Sequence, residues 1–114
     1  MMKRTKKDEF SEQELENRLS GITLSTGNVS KKYIVRDIVF ATDRIETDLF
    51  SPDVNPNDIF SGVYRQLKVI AFEYEADAVI NCHFEEKYVE YQGKWVVEIF
   101  AYGTVVQFTQ TNIG

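Results

Sequence analysis

The clearest pattern along the chain is a stripe of apolar residues at helical spacing. Its members recur every three or four positions and are Ile59, Phe60, Val63, Leu67, Ile70, Ala71 and Tyr74. Asn55 suits the N-cap and Pro56 the first helical position, so a helix is predicted to begin there. Residues 51–57, which hold both prolines, predict a loop leading into it. Because such a stripe needs an apolar surface to lie on, the helix is predicted to pack on a sheet.

Four other segments have the composition or the alternation of β-strands. They cover residues 22–26, 33–41, 78–90 and 95–108. Gly27-Asn28 predicts a hairpin between the first two strands, and Gln92-Gly93 predicts a second hairpin between the last two. The resulting β-β-α-β-β order predicts an α+β fold of two layers, with one antiparallel sheet packed on one long helix.

A short helix is predicted ahead of these elements, from about residue 12 to residue 19. Ser11 and Glu14 have the spacing of a capping box at its start. Only Leu15 and Leu19 give this helix an apolar face, so we expect it to be an appendage. The chain is therefore divided into an N-terminal extension, residues 1–21, and a domain, residues 22–114.

The last predicted strand is apolar on both of its faces. One face carries Trp95, Val97, Ile99, Ala101 and Val105, and the other carries Val96, Phe100, Tyr102 and Val106. An antiparallel sheet with one solvated face alternates polar and apolar residues, so this strand needs cover on both faces. One long helix covers a single face, and we therefore expect neighbouring copies of the chain to cover the other.

Two residues of the long helix support that expectation. At about 100° per residue, Val69 and Phe72 lie roughly opposite the core stripe, where they should face solvent. Apolar groups in such places are typical of interfaces, so the predicted subunit interface comprises Val69, Phe72, Trp95, Phe100 and Tyr102. The alternative is that the N-terminal helix folds back over the uncovered face, although its two leucines would bury little area.

Charge and cysteine content restrict the partners and the compartment. The 114 residues carry a net charge of −5, and residues 1–10 hold four basic and two acidic groups, which leaves −7 for the remainder. An acidic surface repels phosphate backbones, so nucleic acid is not an expected partner. No apolar run is long enough to span a bilayer. The one cysteine, Cys82, has no partner for an intramolecular disulfide, which is typical of a cytoplasmic protein.

Three short motifs carry a family resemblance. The segments LSTGN at 24–28, ADAVIN at 76–81 and AYGTVV at 101–106 resemble those of the YbjQ-like family, whose members are often labelled heavy-metal-binding proteins. The resemblance covers about residues 22–108. It implies a dodecin-subunit-like fold in a ring assembly, usually a homopentamer, with no established biochemical activity. Where the family tends to carry glycine just after its helix, this sequence has Glu75.

The family label directs attention to Cys82 and His83 as ligands for a soft divalent metal ion. Alternation along the strand predicts Ile80 and Cys82 on one face and His83 on the other, so the last two cannot reach one ion within a subunit. A ring could still bring one of them from each subunit to a shared axis. Otherwise Cys82 is a small buried apolar residue and His83 a surface or interface residue.

The sequence shows no recognisable set of catalytic residues, because the single histidine is predicted to face away from the only thiol. An enzyme is therefore not predicted. We expect a homo-oligomer, a pentameric ring whose partner is itself and which acts as a scaffold or small-ligand-binding module. The alternative is a heavy-metal-binding protein with a site assembled across subunits.

Overall fold

The computed structural model describes residues 10–46 and 55–109, without the side chain of Pro56. Its elements in chain order are α1 (Glu12–Ser20), β1 (Thr23–Leu24), β2 (Tyr33–Glu46), α2 (Pro56–Glu73), β3 (Ala78–Tyr91) and β4 (Lys94–Phe108). The α+β class and the predicted long helix are confirmed. The basic segment at the N-terminus and most of the predicted loop at 51–57 lie outside the described residues.

The four strands form one sheet in the order β1-β3-β4-β2. β3 and β4 form the predicted hairpin, which turns at Gln92 and Gly93 with φ angles of 52° and 78°. Two successive positive φ values are those of a type I′ turn, whose twist matches that of the flanking strands. β2 lies antiparallel to β4 on the side away from β3.

The predicted first hairpin is wrong, and the sheet is mixed rather than antiparallel. β1 pairs in parallel with β3, where Thr23 lies opposite Ala78. The chain after β1 stays on the β3 edge, because Cys82 N donates to Ser25 O at 2.9 Å and Asn81 N donates to Gly27 O at 3.0 Å. With that segment held on β3, β2 pairs with the long strand β4, which offers far more backbone partners than a two-residue strand does.

The main core lies between α2 and the sheet, as the helical stripe predicts. Val63, Leu67 and Ala71 of α2 are fully buried. They share one cluster with inward residues of the central strand β4, namely Val97, Ile99, Ala101 and Val105. The helix covers one face of the sheet, which we call the helix face, and the opposite one is called the open face.

α2 ends in a Schellman motif built on a residue other than glycine. Ala76 N donates to Ala71 O and Glu75 N donates to Phe72 O, both at 2.9 Å. Glu75 has a φ of 56°, the left-handed conformation that this motif requires and that glycine adopts without strain. The helix therefore stops where the family pattern places its glycine, but with a glutamate in the strained position.

The prediction that α1 is an appendage is wrong. Leu19 is only 3% exposed and belongs to the main core. Glu16 pairs with Arg65 of α2 at 2.5 Å, and the rings of Phe10 and Phe72 meet edge to face with centroids 5.5 Å apart. Two leucines suffice because α2 offers them a complementary apolar surface on its outer side.

A β-bulge in β3 changes which residues share a face. Asn81 has a φ of 51°, and the register with β4 shifts between Ile80 and His83. Ile80 packs with Ala78 on the open face, whereas Cys82 joins the main core on the helix face. The predicted common face for Ile80 and Cys82 is therefore wrong, because the bulge adds one residue and reverses the alternation.

Candidate functional site

Three aromatic side chains meet at the centre of the open face. Phe40 of β2 lies opposite Tyr102 of β4, and Phe100 is two residues away on β4. The ring centroids are 5.9 Å apart for Phe40 and Phe100, 6.2 Å for Phe40 and Tyr102, and 6.1 Å for Phe100 and Tyr102. Their exposed fractions are 58% for Phe40, 38% for Phe100 and 37% for Tyr102. These three residues are called the aromatic cluster.

Further apolar residues extend the aromatic cluster along β2. Ile38 and Val35 are each about three-fifths exposed, at 59% and 61%. Beyond them the open face is covered, because Ala78, Ile80 and Val106 are buried by Val29, Tyr33 and Phe108. The uncovered apolar surface is therefore continuous in the middle of the sheet, and monomeric proteins seldom leave such a patch exposed.

Charged residues border the aromatic cluster on its other side. The ring of His83 lies 5.1 Å from that of Tyr102, and its Nε2 is 3.0 Å from Glu85 Oε1. Arg44 donates to Glu98 at 3.3 Å across β2 and β4. A groove of about 690 Å³ runs beside the cluster, and its lining includes Arg44, Glu85, Lys87, Glu98 and Phe100. Charges of both signs thus lie beside an apolar centre, as at the rim of a protein interface.

The structure separates the predicted interface residues into three places. Phe100 and Tyr102 lie on the open face as part of the aromatic cluster. Trp95 lies on the helix face near the hairpin turn and is 56% exposed. The expectation that Val69 and Phe72 face solvent is wrong, because Phe72 is 9% exposed against Phe10 and Val69 is partly buried.

Sequence reasoning missed Phe40 and Ile38. The signal was present in the second strand, where both alternate with the buried Val39 and Ala41. A strand that is apolar on both faces needs cover on both, which is the same signal that predicted an interface on the last strand.

Cys82 and His83 lie on opposite faces of β3. Cys82 is 6% exposed within the main core, and its Sγ donates to Val79 O at 3.4 Å. Burial raises the pKa of the Cys82 thiol, and a hydrogen bond from the Ser25 backbone opposes this only in part. The thiol therefore stays protonated at neutral pH, and a protonated buried thiol is a poor metal ligand and a poor nucleophile.

Metal-ligand clusters and membrane-spanning helices are absent from the described part of the chain. Within residues 10–46 and 55–109, no group of three or more His, Cys, Asp or Glu side chains could hold a metal ion. Over the same ranges, neither helix combines the length and the apolar character needed to cross a membrane.

Comparison with known proteins supports the fold. No family model matches the chain, and no curated protein matches it. The fold is similar to that of a DUF74 protein. A crystal structure of a protein of unknown function from that family, from Pediococcus pentosaceus ATCC 25745, matches with a TM-score of 0.60 and 25% identity over 77% of this chain and 98% of the neighbour. DUF74 is the YbjQ-like family, so the neighbour comes from the family that the sequence motifs resemble.

Proposed function

We propose that this chain is the subunit of a homo-oligomeric ring that serves as a scaffold or small-ligand-binding module. The observation that carries the proposal is the aromatic cluster, which lies uncovered by any described residue at the centre of the open face. A second copy of the chain is the proposed cover, because the charges beside the cluster are of both signs and can pair with opposite charges on a neighbouring copy.

The free edges of the sheet favour a head-to-tail arrangement of copies. Among the described residues, β2 is one edge of the sheet along its whole length, and residues 83–91 of β3 have no strand beside them on the opposite side. These two edges differ in sequence, and a contact between unlike surfaces generates a ring when the rotation closes. The proposed number of five subunits rests on the family resemblance, and the proposed cytoplasmic location rests on the single unpaired cysteine.

The alternative, a metal site assembled across subunits, remains a separate hypothesis. Of the two predicted ligands, His83 lies on the open face, where another subunit could add ligands, whereas Cys82 is enclosed in the core. A shared site would therefore be built on His83 with nearby carboxylates such as Glu85.

The test is native mass spectrometry with light scattering on the wild type and on two lysine variants. Phe40→Lys introduces a charge into the aromatic cluster. Tyr64→Lys is the matched control, because Tyr64 is also an exposed aromatic residue, at 38%, but lies on α2 and not on the open face or on a strand edge of the sheet. Far-UV circular dichroism checks that both variants are folded.

We expect a closed oligomer for the wild type and for Tyr64→Lys, and smaller species for Phe40→Lys. A phenylalanine side chain has about 200 Å² of accessible surface. Covering the exposed part of Phe40 therefore removes roughly 100 Å² of apolar surface from water, which contributes about 2.5 kcal/mol to the subunit contact. Each subunit contact should weaken on the order of 50-fold. A wild type that stays monomeric at every concentration would refute the proposal. An oligomer that retains a metal ion, and loses it in His83→Ala, would support the alternative instead.

A further inference from the structure

A smaller recess on the helix face has the features of a ligand site. It lies between α2, β3 and the chain that leaves β1, has a volume of about 350 Å³, and is lined by Leu24, Ser25, Thr26, Tyr64, Lys68 and Phe84. We call it the β1 pocket. Its volume falls at the lower end of the range for small-molecule sites, and it belongs to a single chain.

The inner wall of the β1 pocket is aromatic. The rings of Tyr64 and Phe84 meet edge to face with centroids 5.1 Å apart and an angle of 80°. Phe60 supports Phe84 at 6.2 Å in a similar arrangement. These packed rings present a fixed apolar surface, against which a flat or aliphatic group could lie.

The opposite wall is held in place by backbone hydrogen bonds. Ser25 N donates to Val79 O at 3.0 Å, and Ser25 O accepts from Cys82 N at 2.9 Å. The stretch that carries the Ser25 and Thr26 side chains is therefore attached to β3 on both sides of its bulge. A pocket with both walls fixed needs little ordering when a ligand binds, which favours affinity.

The polar groups of the β1 pocket can all donate hydrogen bonds, and no carboxylate lines it. Lys68 lies one turn after Tyr64 on α2 and is partly buried, with no acidic partner among the described residues. By contrast, Arg65 is paired with Glu16 and Arg44 with Glu98.

The hydroxyls of the β1 pocket are also available as donors. Those of Tyr64 and Thr26 make no hydrogen bond within the described part of the chain, and Ser25 Oγ accepts from Gly27 N at 3.0 Å, which leaves its proton free to be donated. In a chain of net charge −5, the pocket is therefore a local group of hydrogen-bond donors with one positive charge and no carboxylate.

We propose that the β1 pocket binds a small monocarboxylate with an aromatic or short aliphatic body. The carboxylate accepts hydrogen bonds from Lys68 Nζ and from the hydroxyls of Tyr64 and Thr26, and the body lies against Phe84 and Leu24. A charge-assisted hydrogen bond supplies the orientation and the apolar walls supply the remaining affinity. Because the pocket is formed within one chain, this proposal does not depend on the ring assembly.

The test is a titration of ¹⁵N-labelled full-length protein with benzoate, phenylacetate and hexanoate, followed by NMR. Benzamide is the control ligand, because it has the shape of benzoate without the charge. We expect saturable shifts of the backbone amides of Leu24, Ser25, Thr26 and Phe84 with at least one carboxylate and none with benzamide. Isothermal calorimetry provides the same comparison if the assembly is too large for NMR.

Two variants connect binding to the proposed contacts. Lys68→Met keeps the apolar stem and removes the charge, so the dissociation constant should rise about tenfold or more. Lys32→Met is the matched control, since Lys32 is an exposed lysine outside the pocket, and binding should be unchanged. The proposal is overturned if none of the three carboxylates shifts the pocket amides, or if Lys68→Met binds as tightly as the wild type.

Discussion

Replacing Gly103 with alanine would insert a methyl group into the closely packed space under the bulge of β3. An alanine Cβ at this position would lie 2.6 Å from Val79 Cγ1, 3.0 Å from Cys82 Sγ and 3.3 Å from Ile80 O. Carbon atoms in contact are normally about 3.5–4.0 Å apart, so the methyl group is roughly 1 Å too close to Val79. Val79 is fully buried and cannot swing into solvent to make room.

The expected loss of stability follows from these distances. Overpacking of a dense core by one methyl group typically costs about 1–3 kcal/mol. The reduced entropy of the unfolded chain offsets about 0.4–1 kcal/mol of that, which leaves a net loss of about 1–2 kcal/mol for Gly103→Ala. For a domain of this size the melting temperature should fall by roughly 5–10 °C.

Thermal and urea unfolding would measure the effect, with Gly21→Ala as the control. The nearest atom to a Cβ at Gly21 is Arg18 O at 3.5 Å, an ordinary contact, so this variant should stay within about 0.5 kcal/mol of the wild type. Val79→Ala should partly rescue Gly103→Ala because it makes room for the new methyl group. The double variant should therefore lose about 1 kcal/mol less stability than the two single variants lose in total. A Gly103→Ala protein as stable as the wild type, or strictly additive losses, would refute this explanation.

Substitutions at three further positions test other parts of the fold by chemical unfolding. Glu75→Gly should raise the free energy of unfolding by about 1 kcal/mol because it relieves the left-handed backbone, whereas Glu75→Ala should bring no gain. Leu19→Ala should cost about 2–3 kcal/mol if α1 belongs to the core, and almost nothing if α1 is an appendage. The hydrogen bond that Tyr74 donates to Asp37 raises the pKa of Tyr74 above its ordinary 10.0, with burial adding to it. The neutral Tyr74 side chain therefore stabilises the fold below its ordinary pKa, and this stabilisation is lost as pH rises through the raised pKa. Tyr74→Phe should be less stable than the wild type at neutral pH, and this difference in the free energy of unfolding should shrink at alkaline pH. A deficit that persists unchanged there would contradict this assignment.

The helix and the second hairpin could be predicted because their signals are local. The stripe from Ile59 to Tyr74 repeats at the period of one helix, and Gln92-Gly93 has the sequence of a tight turn between two strands. Each signal is contained in a segment that is continuous along the chain, so no knowledge of distant partners was needed. The same holds for the cap of α1 at Ser11, which accepts from Glu14 N at 3.2 Å.

The candidate site was only partly predictable. Phe100 and Tyr102 followed from a strand that is apolar on both faces, and Cys82 and His83 were correctly separated by the alternation of neighbouring residues. The β1 pocket brings Lys68 of α2 beside Thr26 and Phe84, which are far apart in sequence. No local sequence pattern predicts that these residues lie together, because their proximity depends on the pairing of β1 with β3.

The amino-acid sequence by itself determined which segments become helices and strands and which of their faces are apolar, since period and composition are properties of each segment. Only the tertiary structure decided which surface covers which face. It placed β1 beside β3 instead of β2, inserted the bulge at Asn81, and covered Phe72 with Phe10. Pairing and burial depend on the backbone partners and apolar area that distant segments offer one another, and a single segment does not carry that information.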